Sequence, residues 1–317
     1  MRADFFRGLY DIMKKDKNVV LLTSDTGAIV LDDIRRNMPE RYINVGIAEA
    51  NMISVAAGLS LCGKIVYVYA IIPFVTLRCF EHYRVDVCCQ NLNVKAIGVG
   101  AGLDYCTLGP THHAHEDYAV MRTLPGLTIF SPCDENAGSL ASKLAYETPG
   151  PVYVRLERYG VPPVYKDAKM DFSKGINILN KGGNDLCIIA TGKMVVTAQK
   201  VGKNLKRSGI NPCVMDLFRI KPVNEKMIFD IIKDKKHVVT IEEHTTIGGI
   251  ASIVCEIITR RSLTARFKGI GFPDKYCRQY GPRPYLHRLI GLDDAGITES
   301  IKEWVSADNM GKRKRLS

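Results

Sequence analysis

Glu49 opens the stretch Glu-Ala-Asn-Met-Ile-Ser-Val-Ala-Ala-Gly-Leu, which carries no other charge. An acid at a helix start gains from the positive end of the helix dipole. A helix apolar on most faces is buried, however, and burial raises a carboxyl's pKa. Glu49 thus reads either as a helix-start acid or as a protonated group offered to a ligand. A second concentration of chemistry is Gly109-Pro-Thr-His-His-Ala-His-Glu-Asp. Its three histidines lack the Cys or H-x-x-x-H spacing of a metal set, so this chain is expected to bind no metal itself. A His-bearing loop after a strand suits substrate contact, because α/β proteins bind ligands at the carboxyl ends of strands. The competing reading is a helix entry capped by Thr111. Tyr67-Val-Tyr-Ala-Ile-Ile-Pro-Phe crosses from strand to helix and offers rings for a planar cofactor, although a single aromatic is more often core. Arg155 and Arg158 stand at a strand end, where arginine suits anions but also forms surface ion pairs. Glu242-Glu-His-Thr-Thr-Ile-Gly-Gly precedes a glycine-rich helix start of the kind that holds phosphate, with two glutamates arguing against it.

These residues sit at the joints of a repeated strand–helix rhythm. Apolar runs at 19–22, 42–45, 65–69, 94–99, 127–130 and 152–156 predict strands. Between them, 29–38, 48–62, 74–89, 116–124 and 137–146 predict helices. The rhythm breaks around Gly160, Pro162 and Pro163, then resumes with strands at 186–190, 213–217, 237–241 and 267–270. Helices are predicted there at 194–207, 225–232, 250–260 and 295–305. The expected fold is α/β, with two doubly wound domains whose parallel sheets carry helices on both faces. The divisions are 1–163, a linker over 164–178, and 179–317 with a basic tail.

The 44 basic residues against 33 acidic ones are spread along the chain, and the only dense run is Lys312-Arg-Lys-Arg in the tail. A spread excess favours phosphorylated substrates or an acidic partner over nucleic acid. No apolar run approaches the ~20 residues of a membrane span. The start lacks a secretory signal. The ten cysteines contain no CxxC and read as reduced, mostly buried thiols. The expectation is a cytoplasmic protein that binds neither nucleic acid nor membrane.

Together and in order, the segments resemble the transketolase family of thiamine-diphosphate enzymes. Relatives include 1-deoxyxylulose-5-phosphate synthase and the β subunits of 2-oxo-acid dehydrogenases. The matching pieces are Ser24-Asp25, the run from Gly46 through Glu49 to Leu59, and Gly109 to Asp117. They continue with Arg122, Pro125 and Ser131-Pro-Cys-Asp-Glu-Asn, then Gly150-Pro through Glu157-Arg158, and Glu242 to Gly249. The likeness implies a pyrimidine-binding domain followed by a Rossmann-like transketolase C-terminal domain. The family's GDG…N motif, which binds Mg2+ and the diphosphate, is not in this sequence. The resemblance therefore implies a split enzyme. A separate N-terminal transketolase subunit would carry GDG…N and hold most of the Mg2+ contacts, in an α2β2 heterotetramer.

Carried over residue by residue, the resemblance implies Glu49 as the catalytic carboxyl at the aminopyrimidine N1′, with Asp25 at the cofactor. Phe74 is the pyrimidine-stacking aromatic, with Tyr69 as fallback. His112 is the catalytic, substrate-contacting histidine, and Arg158 binds the sugar phosphate. Leu108 replaces an aspartate that contacts the donor's hydroxyls, a loss that Asp104 or the partner chain can make good. Gly100 lies near the place of a phosphate-contacting histidine. The implied reaction moves a two-carbon ketol unit from a ketose phosphate to an aldose. The alternatives are a β subunit of a 2-oxo-acid dehydrogenase or decarboxylase, and a non-catalytic assembly subunit that kept the fold.

Overall fold

The structure is a computed structural model and describes residues 1–165, 171–183 and 185–313. The last residues of the basic tail and part of the expected linker lie outside the described residues.

Apolar spacing builds the first element. In α1 (Arg2–Lys15), Phe5, Leu9 and Met13 recur every fourth residue and are buried with Phe6. This face packs on α7 (Glu135–Glu147) so closely that a Cβ on Gly8 would stand 2.2 Å from Ser142 Oγ. Both helices cover a parallel sheet of β1 (Val19–Thr23), β2 (Tyr42–Asn44), β3 (Ile65–Ile71), β4 (Val94–Val99), β5 (Thr128–Phe130) and β6 (Val152–Leu156). β1, β4 and β6 are buried at every residue, the pattern of a parallel strand covered on both faces. Their spatial order is β5-β6-β4-β3-β1-β2. The connections include α2 (Asp32–Asn37), α3 (Glu49–Leu61), α4 (Ile72–Val75), α5 (Phe80–His82) and α6 (Asp117–Met121).

The second half contributes β7 (Ile176–Asn180), β8 (Leu186–Ala190), α8 (Met194–Arg207), β9 (Cys213–Leu217), β10 (Arg219–Lys221) and α9 (Glu225–Ile232). It continues with β11 (His237–Thr245), α10 (Ile250–Arg260), β12 (Arg266–Phe272), α11 (Arg283–Leu289) and α12 (Asp294–Arg313). Its sheet runs β12-β11-β8-β9-β7, parallel except for β7. The chain is thus α/β with two sheets, each dominated by parallel strands.

Four features depart from the sequence expectation. The helix predicted over 74–89 is broken into α4, a turn, α5 and a wide π turn over Tyr83–Cys88. The break follows Thr76, whose hydroxyl donates back to the Ile72 carbonyl at 2.6 Å, a bond that competes with helix continuation. β7 begins at Ile176, inside the stretch expected to be linker, so the second sheet starts before residue 179. β10 leaves its own half and joins the first sheet as an antiparallel edge against β5. Lys221 secures it by donating to the carbonyls of Arg122, at 2.8 Å, and Leu124. α11 lies in a stretch for which no element was expected.

Among the described residues, the two larger apolar clusters of the core each draw on both halves. One joins Phe6, Ile97 and Val154 to Ile188 and Val239. The other joins Val68, Ala96 and Tyr153 to Ile189 and Val238. Among the described residues, no helix is long and apolar enough to cross a membrane.

Candidate active site

The carboxyl ends of β1, β3, β4 and β6 deliver four segments to one edge of the first sheet. β1 leads to Ser24 and Asp25, β3 to Phe74 and Arg78, β4 to the 100–116 loop, and β6 to Arg158. Glu49, the first residue of α3, lies beside the first two segments and is only 4% exposed. Ser24 Oγ donates to its Oε1 at 3.3 Å, and Arg78 Nη1 donates to its Oε2 at 2.9 Å. The carboxylate therefore does not sit alone among apolar neighbours. A guanidinium and a hydroxyl hold it, in place of the wholly apolar setting expected from the sequence.

Arg78 was not singled out from the sequence. Its one local signal is a spacing of four from Phe74. Its guanidinium carbon lies 4.1 Å from the centre of the Phe74 ring. Phe74 is half-buried and meets the His112 ring edge-on at 5.1 Å. His112 in turn lies 5.7 Å from Tyr105, and the Arg158 guanidinium lies over Tyr105 at 5.0 Å. Contacts thus run without a gap from Glu49 to Arg158.

His112 precedes α6 by several residues, so it is a loop residue and not part of a helix start. Thr111 Oγ1 lies 2.9 Å from its Nδ1. Desolvation, and then the charge of Arg78, push its pKa below the ordinary imidazole value. A neutral imidazole has one donor and one acceptor nitrogen, so it can give or take a proton at a hydroxyl. Arg158 has no carboxylate partner for its side chain among the described residues. Its backbone N–H donates to Asp104 Oδ2, and its guanidinium also lies 4.9 Å from the centre of the Tyr159 ring. Leu108 is 46% exposed beside this surface. Asp104, a possible replacement for the missing aspartate, is buried and occupied by the Arg158 N–H and by Arg283 at 3.4 Å. At Gly100, with φ 94°, a Cβ would meet the Tyr105 ring at 2.2 Å. Tyr105 therefore covers the spot where the family's upstream histidine was sought.

Asp25 is exposed and left-handed, with φ 55°. It exchanges two hydrogen bonds with Asn44, at 2.9 and 3.0 Å, beside an open cleft of about 330 Å³ that Asp32, Arg35 and Tyr42 also line. It is one residue from Ser24, which reaches Glu49. Tyr69 lies elsewhere. It is fully buried under α1, with its ring edge-on to Phe6 at 4.9 Å and its hydroxyl accepting from Arg2 at 3.3 Å. It has no face open to a ligand, so the fallback role does not fit, whereas Phe74 lies against Arg78, which bonds Glu49.

The remaining conspicuous residues have structural work. Arg155 is buried against Asp117 at 2.9 Å and donates to two carbonyls, so only Arg158 of the pair is available. Glu242 accepts from the Ile250 and Ala251 amides at 2.7 and 2.8 Å, filling the helix start that glycine spacing had offered to phosphate. His115 stacks on Phe272 at 3.6 Å, and His244 accepts from the Tyr118 amide at 3.0 Å. Among the described residues, no group of three or more His, Cys, Asp or Glu is placed to hold a metal ion.

Residues 1–163 match the family described as "Transketolase, pyrimidine binding domain", and residues 175–297 match "Transketolase, C-terminal domain". The chain is 35% identical over 305 residues to one of the subunits of the apulose-4-phosphate transketolase of Phocaeicola vulgatus, covering 96% of this chain and 97% of that one. It is 32% identical over 311 residues to the 6-deoxy-6-sulfo-D-fructose transketolase subunit SqwH of a Clostridium species, covering 98% and 95%. A solved structure described as a split gene transketolase, inactive beta4 tetramer, superposes with a TM-score of 0.85 at 32% identity, covering 95% of this chain and 96% of that one. With both domain matches and these near full-length relatives, the chain belongs to the transketolase family.

Proposed function

We propose that this chain is the pyrimidine-side subunit of a two-chain transketolase-like transferase. Its reaction moves a two-carbon ketol unit from an anionic ketose donor to an aldose acceptor. The observation that carries the reading is the unbroken run of contacts from Glu49 through Arg78, Phe74, His112 and Tyr105 to Arg158. One end offers a buried carboxylate beside an aromatic face. The other offers a guanidinium without a carboxylate partner among the described residues.

That first end fits an aminopyrimidine, which needs a flat apolar contact and a carboxyl at its ring nitrogen. Glu49 and Phe74 would hold it, with Asp25 at the margin. Thiamine diphosphate, when bound, supplies a carbon nucleophile and an electron sink for the ketol unit. The chain's own residues do the rest. Glu49 holds a hydrogen bond at the pyrimidine ring nitrogen, and Arg78 fixes the carboxylate from its other side. His112 gives or takes a proton at a sugar hydroxyl. Arg158 pairs with the donor's terminal anion through its planar fork. Leu108 presents methyl groups where an acceptor would bind a hydroxyl, which sets the donor preference. The diphosphate and its Mg2+ fall to the partner chain with GDG…N.

The named substrates of the two relatives, apulose 4-phosphate and 6-deoxy-6-sulfo-D-fructose, both carry an anionic group, which supports an anionic ketose here. The beta4 tetramer of the split-gene structure supports self-association, and an α2β2 assembly once the partner joins. The proposed compartment is the cytoplasm. The test is to assay ketol transfer with the chain alone and with its partner, and to titrate the cofactor by calorimetry. The chain alone is expected to be inactive and to bind thiamine diphosphate weakly. Full turnover by the isolated chain would overturn the two-chain reading.

A further inference from the structure

We propose that Arg283, in the C-terminal half, is a positioning residue that holds the roots of the two loops carrying His112 and Arg158. The proposal rests on the reading of the site given above. Arg283 opens α11 and is buried. Its Nε donates to Glu243 Oε1 at 2.9 Å, and its Nη2 donates to Glu243 Oε2. Nη1 donates to Glu157 Oε2 at 2.6 Å, and Nη2 to Glu157 Oε1 at 3.1 Å. Nη2 also donates to the Ala101 carbonyl at 3.2 Å, and Nη1 lies 3.4 Å from Asp104 Oδ1.

Those partners are the roots of the substrate loops. Glu157 immediately precedes Arg158. Asp104 accepts the Arg158 amide with its other oxygen. Glu243 Oε1 accepts the Leu103 amide at 3.1 Å and lies 2.8 Å from His287 Nε2 of α11. The loop backbone is pressed onto this carboxylate, since a Cβ on Gly102 would stand 2.6 Å from Glu243. The tip of the same loop is touched as well. Tyr280, in the segment leading into α11, lies over Gly109, where a Cβ would stand 2.7 Å from its hydroxyl.

One guanidinium therefore closes on three buried carboxylates from three segments. Without it they repel one another and stand unpaired in a dry site, which drives them apart or draws in protons and water. Asp104 already feels this. Burial and then the charge of Glu157 push it up to about 6, with Arg283 opposing. The cofactor end is outside this cluster, because Glu49, Arg78 and Phe74 come from α3 and the segment after β3. A role in positioning thus separates substrate handling from cofactor binding, whereas a general structural role does not.

The experiment uses the complex with the partner chain and compares wild type, Arg283→Lys, His287→Gln, Arg158→Ala and the double variant Arg283→Lys/Arg158→Ala. Lysine keeps the charge and loses the fork. In Arg283→Lys, KM for an anionic ketose is expected to rise about 10-fold, the scale of a lost hydrogen bond to a charged group. Cofactor affinity stays unchanged. Hydrogen exchange speeds up in 100–112 and 157–160 but not in 49–75. Adding Arg158→Ala to Arg283→Lys costs much less than it does in wild type, because residues acting as a unit are not additive. Equal losses in substrate and cofactor binding, or losses that multiply, overturn the proposal. If Arg283→Lys does not fold, His287→Gln, which trims one contact to Glu243, must show the same pattern at smaller amplitude. Unchanged kinetics and exchange in that variant overturn the proposal too. An Arg158→Ala variant without any effect defeats the substrate reading instead, and the exchange data still decide the role of Arg283.

Discussion

Replacing Glu49 by glutamine separates stability from chemistry. Glutamine keeps the shape, so its amide oxygen can retain one of the two donors, Ser24 or Arg78. The other donor then faces an NH2 group. If that donor is Arg78, the loss is a charge-assisted bond, typically about 1.5–3 kcal/mol. The Arg78 side chain is 48% exposed, however, so it can turn to water and is not stranded. Screening brings the folding cost down to about 1 kcal/mol, a fall of about 2–4 °C in Tm. The chemical cost is larger. A carboxyl that exchanges a proton with the pyrimidine ring contributes about 10²–10⁴-fold, or roughly 3–5 kcal/mol of barrier. The assay is ketol transfer by the reconstituted complex, read beside thermal unfolding of the chain and cofactor affinity. The expected result is a rate at least 100-fold down with Tm nearly unchanged. A rate within threefold of wild type would refute the reasoning and leave Glu49 as a helix-start acid. A Tm fall of roughly 10 °C would show instead that the ion pair holds the fold.

Other outcomes follow from the same contacts. Arg158→Ala is expected to raise KM about 10-fold or more for a phosphorylated ketose and far less for an unphosphorylated analogue; equal effects would place Arg158 in the scaffold. Leu108→Asp is expected to raise kcat/KM by about 5–150-fold for donors whose hydroxyl otherwise lacks an acceptor, and a donor panel without any gain removes Leu108 from specificity. Burial pushes His115 down to about 3, so the folded chain keeps it neutral while the unfolded chain takes a proton below its ordinary value of 6.5. Its contribution to stability is therefore complete above pH 6.5 and is lost as pH falls toward 3. Relative to wild type, His115→Phe should gain about 1.5 kcal/mol in denaturant unfolding between pH 6.5 and 5, and parallel pH curves would refute this.

Much of the fold was legible because the apolar periodicity is strong. Helix α8 shows it best, with Met194, Val195, Ala198, Val201 and Leu205 on one buried face. β10 was not legible. It has three residues, two of them cations, and it is a strand only because β5 offers an edge from the other half of the chain. α11 was missed for a related reason, since Arg283 reads as a surface residue until carboxylates distant in sequence surround it. At the site, the family likeness brought out Glu49, Phe74, His112 and Arg158 one by one. That Arg78 ties Glu49 to Phe74, and that Tyr105 links His112 to Arg158, depends on how four loops meet at one sheet edge. Tyr69 shows the converse limit, because alternation along β3 turned its ring toward α1 and away from the site.

The placement of β10 also bears on synthesis. The first sheet is complete through β6, but the outer edge of β5 stays bare until Arg219–Lys221 has been made, more than 60 residues after β6 ends. At about 5–20 residues per second, that edge waits several seconds on the ribosome or longer. Throughout that time Thr128–Phe130 presents unpaired amides and carbonyls beside apolar side chains, a template for pairing with another nascent chain. Slow translation between β6 and β10 should therefore lower the yield of folded protein more than an equal pause after β10.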